Sequence, residues 1–314
     1  MQPEESTKPV VVREPDAVKV ASPVLRGEGG REASFLPSKT SNSNSSQPIA
    51  FIGGGNMASA IIGGLLRQGL SASQIEVVEP FGPARDKLRE QFGIKAQEMP
   101  GAQLARAGLV VWAVKPQTFK EAAAMARTHT ATALHLSVAA GIRSDSIAGW
   151  LGTQRVVRSM PNTPALVGKG ITALFARAAV TPADRASVEH VIATTGEHLW
   201  VDEEQDLDTV TALSGSGPAY VFFFLEAMQQ AGSELGLTPA QAYKLAVATF
   251  AGASALAAAS DDPPQLLRER VTSKGGTTHA AITSMENDGV KEMFMRAMKA
   301  AHKRAGELGD EFGA

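Results

Sequence analysis

Three consecutive glycines, Gly53-Gly54-Gly55, lie directly between the run Ile49-Ala50-Phe51-Ile52 and a helical stretch that opens at Asn56-Met57-Ala58. A strand that passes straight into glycines and then into a helix is the start of a βαβ unit, and few other arrangements use it. The glycines permit a tight turn and a close approach of backbone to ligand. At Asn56 and Met57 the helix start offers unpaired amides and a positive dipole end to a pyrophosphate. Gly53 and Gly55 match the first two glycines of the dinucleotide fingerprint, and Ala58 is its permitted small third residue. A plain turn would also accept glycines; the strand before, the helix after and a second strand at Ile75 favour the nucleotide site.

The pattern then repeats. Short apolar runs at Ile75 to Val78, Leu109 to Trp112, Leu134 to Val138 and Val156 to Arg158 alternate with helical stretches, and weaker strands follow at Ile171 to Phe175 and Leu199 to Val201. Such alternation predicts a Rossmann-like α/β domain, doubly wound around a mostly parallel sheet, over residues 48–208. Gly63 and Gly64 are placed to let the first helix lie close to that sheet. After about Asp208 the strand signal stops. Residues 209–314 read as an all-helical domain with helices over Tyr220 to Leu235, Thr238 to Ser260 and Thr277 to Leu308. Within it, Leu245 to Ser260 carries no charge; it is shorter than the roughly 20 residues of a membrane span and too rich in alanine, so it is expected to pack against helices or a second subunit.

Residues 1–47 balance cations against anions among Pro, Ser, Asn and Gly, with Phe35 the only aromatic; the reading is a disordered tail, because too little apolar surface is available to offset ordering. No secretory h-region fits between its charges, which points to the cytoplasm. With 30 Lys+Arg against 32 Asp+Glu, a basic nucleic-acid surface is not expected. The absence of cysteine removes disulfides, thiolate nucleophiles and thiolate metal sites. The six histidines show no ligand spacing, so no metal is expected.

Further motifs fall at predicted strand ends, where ligands of open α/β sheets lie. Glu79 follows the second strand near the spacing of a ribose-binding acid, which favours NAD. Arg85, just beyond, is an alternative partner for the 2′-phosphate of NADP, and both residues would also serve as solvated surface charges. Ala113-Val114-Lys115-Pro116 continues the third strand, with Pro116 also suited to a first helical position. Ser159-Met160-Pro161-Asn162-Thr163-Pro164 ends the fifth and offers Asn162. In the helical part, Ser214-Gly215-Ser216-Gly217-Pro218-Ala219-Tyr220 marks a bend or close approach. Ser273-Lys274-Gly275-Gly276-Thr277-Thr278-His279 is a helix cap at minimum, and a nest for a small carboxylate besides.

Taken in order, Phe51 to Met57, Ala113 to Pro116, Met160 to Ala165, Ser214 to Tyr220 and Gly275 to Thr278 resemble pyrroline-5-carboxylate reductase, over a stretch from about Pro48 to the C-terminus. The resemblance implies reduction of a cyclic imine acid, 1-pyrroline-5-carboxylate, to L-proline by NADPH or NADH, the last step of proline synthesis. It implies Thr278 beside the imine nitrogen as the catalytic hydroxyl, with Ser273, Gly276 and Thr277 on the substrate carboxylate. It implies a cofactor site from Gly53, Gly55, Asn56, Met57, Glu79, Ala113, Val114, Lys115, Pro116 and Asn162. It also implies a homodimer with interleaved helical domains, in many members assembled as a decamer of five dimers. Lys274 departs from the proline common after this serine. The alternatives are a reductase of another cyclic imine or short hydroxy acid, and a non-catalytic NAD(P)-sensing regulator. The sequence offers no acid/base pair of the kind a hydroxy-acid dehydrogenase needs, whereas a protonated imine needs none.

Overall fold

The computed structural model describes residues 47–313, so the expected disordered tail lies outside the described residues apart from Gln47. Seven strands form one sheet: β1 (Ile49–Ile52), β2 (Ile75–Val78), β3 (Leu109–Trp112), β4 (Leu134–Ser137), β5 (Val156–Met160), β6 (Gly170–Ala176) and β7 (Gly196–Trp200). Their order is β2-β1-β3-β4-β5-β6-β7. Pairing is parallel throughout except between β5 and β6, which run antiparallel. The connections out of the neighbouring strands β1 and β3 run to opposite sides, to β2 and β4, which puts the switch-point crevice at the carboxyl ends of β1 and β3.

Alternation along each strand fills both faces. Phe51, Val77 and Val111 join Ile61, Ile62 and Leu65 of α1 (Asn56–Arg67), Leu88 of α2 (Gly82–Phe92) and Val188 and Val191 of α5 (Pro182–Ile192) in one core. Ala50, Ile52, Val110 and Trp112 join Phe119 and Ala123 of α3 (Pro116–Ala126) and Ile147 and Leu151 of α4 (Ser144–Leu151) in the other. Gly64 does permit a close approach, but not to the sheet: a Cβ there would stand 2.6 Å from Thr194, just beyond α5, and one at Gly63 would meet Phe92 of α2. The glycines are needed for helix against helix.

Beyond β7 come α6 (Asp206–Val210), a wide π-type turn over Thr211–Gly215, and α7 (Gly217–Glu234), α8 (Pro239–Ala258), α9 (Pro264–Arg270), α10 (Thr277–Asn287) and α11 (Val290–Phe312). Thr238 and Gln241 close a reciprocal capping box at the start of α8. The helix expected over Thr277 to Leu308 is two helices. Gly289 takes φ +65°, a left-handed conformation natural to glycine, and there the chain turns from α10 into α11. In α8 only Ala242 and Ala246 are buried, while Leu256 remains 71% exposed. No helix among the described residues is long and apolar enough to cross a membrane.

A buried charge network joins the sheet to the helices. Arg158 of β5 is 2% exposed; its Nη1 donates to Glu204 at 3.0 Å, and its guanidinium lies 3.8 Å from Asp208 of α6. Glu204 also accepts from the Ser144 backbone N–H and hydroxyl, both at 2.6 Å, so it caps α4 from a distant part of the chain. Arg143, one residue before α4, reaches Asp208 at 3.7 Å and Asp310 of α11 at 3.4 Å.

Candidate active site

The glycine loop is built against the end of β3. Gly53 donates its N–H to Val78 O at 2.8 Å and Ala113 donates to Ile52 O at 2.8 Å, so the turn continues both strand ladders. Gly53 adopts φ +97°, and a Cβ on it would lie 2.5 Å from Ala113 O and 3.1 Å from Val114 Cγ1. Glycine is required there twice over, by conformation and by space. A Cβ on Gly55, by contrast, would meet nothing within 4 Å. Gly55 is the N-cap of α1 and no side chain caps that helix. The amides of Asn56 and Met57 therefore have no side-chain cap at a helix N-terminus, the cradle a pyrophosphate fits. Lys115 and Pro116 form the N-cap and first position of α3 on the neighbouring strand end.

Glu79 is tied into this loop. Its Oε2 accepts from the Gly54 N–H at 2.7 Å and its Oε1 from the Phe81 N–H at 2.8 Å. Arg85 does not stand free as a phosphate partner: its Nη1 donates to the carbonyls of Glu79 at 2.9 Å and Pro80 at 2.6 Å, and its Nη2 pairs with Glu98 at 3.3 Å. The arginine braces the loop that presents the carboxylate. Sequence patterning alone could not distinguish a brace from a ligand.

Asn162 lies at the end of β5, 9% exposed, with both ends of its amide engaged: Nδ2 donates to Ser214 O at 3.1 Å and Oδ1 accepts from Ile171 N–H at 3.0 Å. With Leu213, Pro218 and Tyr220 it lines a cavity of about 510 Å³ between the strand end and the start of α7.

Ser273, Gly276, Thr277 and Thr278 form a separate cluster on the turn from α9 into α10. Gly275 takes φ +75° and Gly276 donates its N–H to Ser273 O at 3.0 Å, which folds the turn tightly. Gly276 is the N-cap of α10, with no side-chain capping bond. The Thr277 and Thr278 hydroxyls thus have no partner among the described residues, and both residues are exposed. Capping alone does not account for them. Within one chain α10 packs along α11, and the structure does not bring this cluster together with the glycine loop through any hydrogen bond. No group of three or more potential metal ligands occurs among the described residues.

Family models match the two parts separately: one for pyrroline-5-carboxylate reductase dimerisation over residues 204–308, and one for coenzyme F420-dependent NADP oxidoreductase over residues 48–141. A pyrroline-5-carboxylate reductase of Pseudomonas aeruginosa is 43% identical over 267 residues, spanning 84% of this chain and 98% of its own. The chain belongs to the pyrroline-5-carboxylate reductase family. It is an NAD(P)H-dependent oxidoreductase. A solved reductase of this family from Coxiella burnetii superposes with a TM-score of 0.78 at 37% identity, covering 84% of this chain and 98% of the other. Another from Plasmodium falciparum, solved with NADP bound, gives 0.76 at 26% identity over 84% and 98%. The reductase family thus accounts for the sheet, the helical part and their order along the chain.

Proposed function

We propose that this enzyme, a reductase of 1-pyrroline-5-carboxylate to L-proline by its family, works in the cytoplasm as a homodimer with NADH as its preferred reductant, and binds its substrate at the turn into α10. The observation that carries the site is the pair of unspent hydroxyls on Thr277 and Thr278 at an exposed helix N-terminus, in a chain with an open dinucleotide cradle.

NAD(P)H, when bound, supplies a hydride. The protein's task is to hold the substrate for it. Gly276, Thr277 and Ser273 offer amides and hydroxyls to the substrate carboxylate at the positive end of the α10 dipole. Thr278 places a hydroxyl beside the ring nitrogen. The nitrogen arrives protonated, the hydride goes to the imine carbon, and the C=N π pair becomes the amine lone pair, so no general acid is demanded of the chain. The α10 cluster and the glycine loop are proposed to meet across the dimer. The apolar faces left open on α7 and α8, including Phe222, Phe223, Leu245 and Leu256, supply the surface that such a dimer would bury. The larger assembly to look for is the decamer of five dimers.

NADH is favoured because Glu79 presents a carboxylate, fixed by two backbone amides, at the edge where the adenosine ribose lies, and the nearest arginine is committed to carbonyls. A 2′-phosphate there meets repulsion without a compensating cation. The deciding experiment follows NADH and NADPH oxidation side by side on addition of 1-pyrroline-5-carboxylate. Turnover with L-proline as product supports the reading. Tight NADH binding without turnover would instead indicate a sensor.

A further inference from the structure

The wide turn over Thr211–Gly215 sits at the carboxyl end of β5 and is held there by side chains that the reaction outlined above does not use. A π-type turn widens the helix by one residue and is costly unless something fixes it. Its own ladder closes through Ser216 N–H to Thr211 O at 2.8 Å. Two further ties come from outside the turn: Asn162 Nδ2 donates to Ser214 O at 3.1 Å, and the Tyr220 hydroxyl donates to Ala212 O at 3.0 Å. Gly215 lies against the Met160 side chain at the end of β5.

The location gives these ties a role. With Glu79 marking the adenosine end beside β2, the nicotinamide half of a dinucleotide extends across the switch point towards β4 and β5. Ser159 Oγ bonds Ser137 O at 2.7 Å, so the ends of those two strands form one rigid rim. The wide turn borders this rim, and Asn162 ties it there, donating to Ser214 O while accepting from the Ile171 N–H. These two bonds place Asn162 to hold the turn.

We propose that Asn162, with Tyr220 as a second tie, is a positioning residue that locks the wide turn against the rim of β5 and so sets the wall of the site where imine and nicotinamide meet. This rests on the reductase reading, which wild-type turnover in the same assay checks independently.

The test is Asn162→Asp. The aspartate keeps an acceptor for the Ile171 N–H but turns a carboxylate oxygen towards the Ser214 carbonyl. At pH 7.5 kcat/KM for 1-pyrroline-5-carboxylate should fall tenfold or more, while the Kd for NADH, read by quenching of its fluorescence, stays within about twofold. Burial beside a carbonyl raises the carboxyl's pKa, and once protonated it again donates to Ser214 O, so the ratio of variant to wild-type activity should climb as pH falls. A Kd for NADH weakened in step with the lost activity would make Asn162 a direct cofactor ligand and overturn the proposal. A pH-independent ratio would also overturn it. Should Asn162→Asp fail to fold, Tyr220→Phe removes the second tie without adding charge. It should lower kcat at unchanged NADH affinity, and a Tyr220→Phe enzyme with wild-type kcat/KM would sink the proposal.

Discussion

Trp112 Nε1 donates to His135 Nδ1 at 3.0 Å across neighbouring strands, in the core that also holds Phe119, with both rings out of solvent. The bond requires an imidazole whose Nδ1 is unprotonated. Burial pushes the His135 pKa down from the ordinary 6.5 to about 4. The unfolded chain therefore binds a proton that the folded chain refuses between those values. Stability supplied by the neutral ring is complete above pH 6.5 and drains away as pH falls towards 4, by about 1.4 kcal/mol per pH unit. Melting temperature between pH 6.5 and 5 should fall in the wild type and fall less steeply in His135→Asn. Parallel slopes would refute the assignment.

The two outer glycines of the loop should separate folding from binding. Gly53→Ala forces a left-handed alanine, at roughly 1–2 kcal/mol, into the Ala113 carbonyl, so it should lower both melting temperature and NADH affinity. Gly55→Val enters open space. As a poorer N-cap it should cost about 0.5–1 kcal/mol, less than Gly53→Ala, and weaken NADH binding tenfold or more. Equal melting temperatures for the two variants would contradict the geometry.

Glu79→Ser should raise the NADPH/NADH ratio of kcat/KM about tenfold by removing the fixed carboxylate. Losing the bonds to Gly54 and Phe81 should also cost about 1–2 kcal/mol of loop stability. A ratio that does not move places the ribose elsewhere.

Thr278→Val keeps the backbone amides and the helix start, so NADH affinity and melting temperature should survive. The kcat should drop about tenfold, the value of one polar contact of about 1.4 kcal/mol made as hydride arrives. A less stable protein with normal turnover would return Thr278 to a capping role.

Leu256 and Leu245 lie on one exposed stretch of α8, and Leu256→Glu should split the assembly. Light scattering at micromolar concentration should then report a smaller, less active species. A wild type that is already an active monomer would defeat the dimer reading.

The sheet was largely legible because β-branched runs and glycine punctuation recur at βαβ spacing, and because Gly53, Gly55 and Ala58 occupy fixed places on a strand–turn–helix. The break at Gly289 is marked in the sequence by Asn287-Asp288-Gly289, a turn signal that the helical spacing on either side of it obscures. Gly63 and Gly64 announced close packing without naming a partner, and Thr194 lies 130 residues from Gly64. The same holds for Asn162: its composition marks a polar strand end, whereas its work with Ser214 depends on tertiary contact across the start of α7. Arg85 is the sharpest case. A basic residue after the second strand fits a phosphate ligand or a loop brace equally well until the carbonyls it serves are located.

The last turns of α11 come back to the start of α4, where Ser146 Oγ donates to Gly313 O at 2.7 Å and Phe312 packs against the core beneath. These partners are 167 residues apart in sequence. During synthesis the contacts of α4 with Phe312 and Gly313 can therefore form only after α11 has left the ribosome. Shortening α11 by even one or two turns should be felt first as poor yield and aggregation of the nascent protein, well before any change in the chemistry of the enzyme that does assemble.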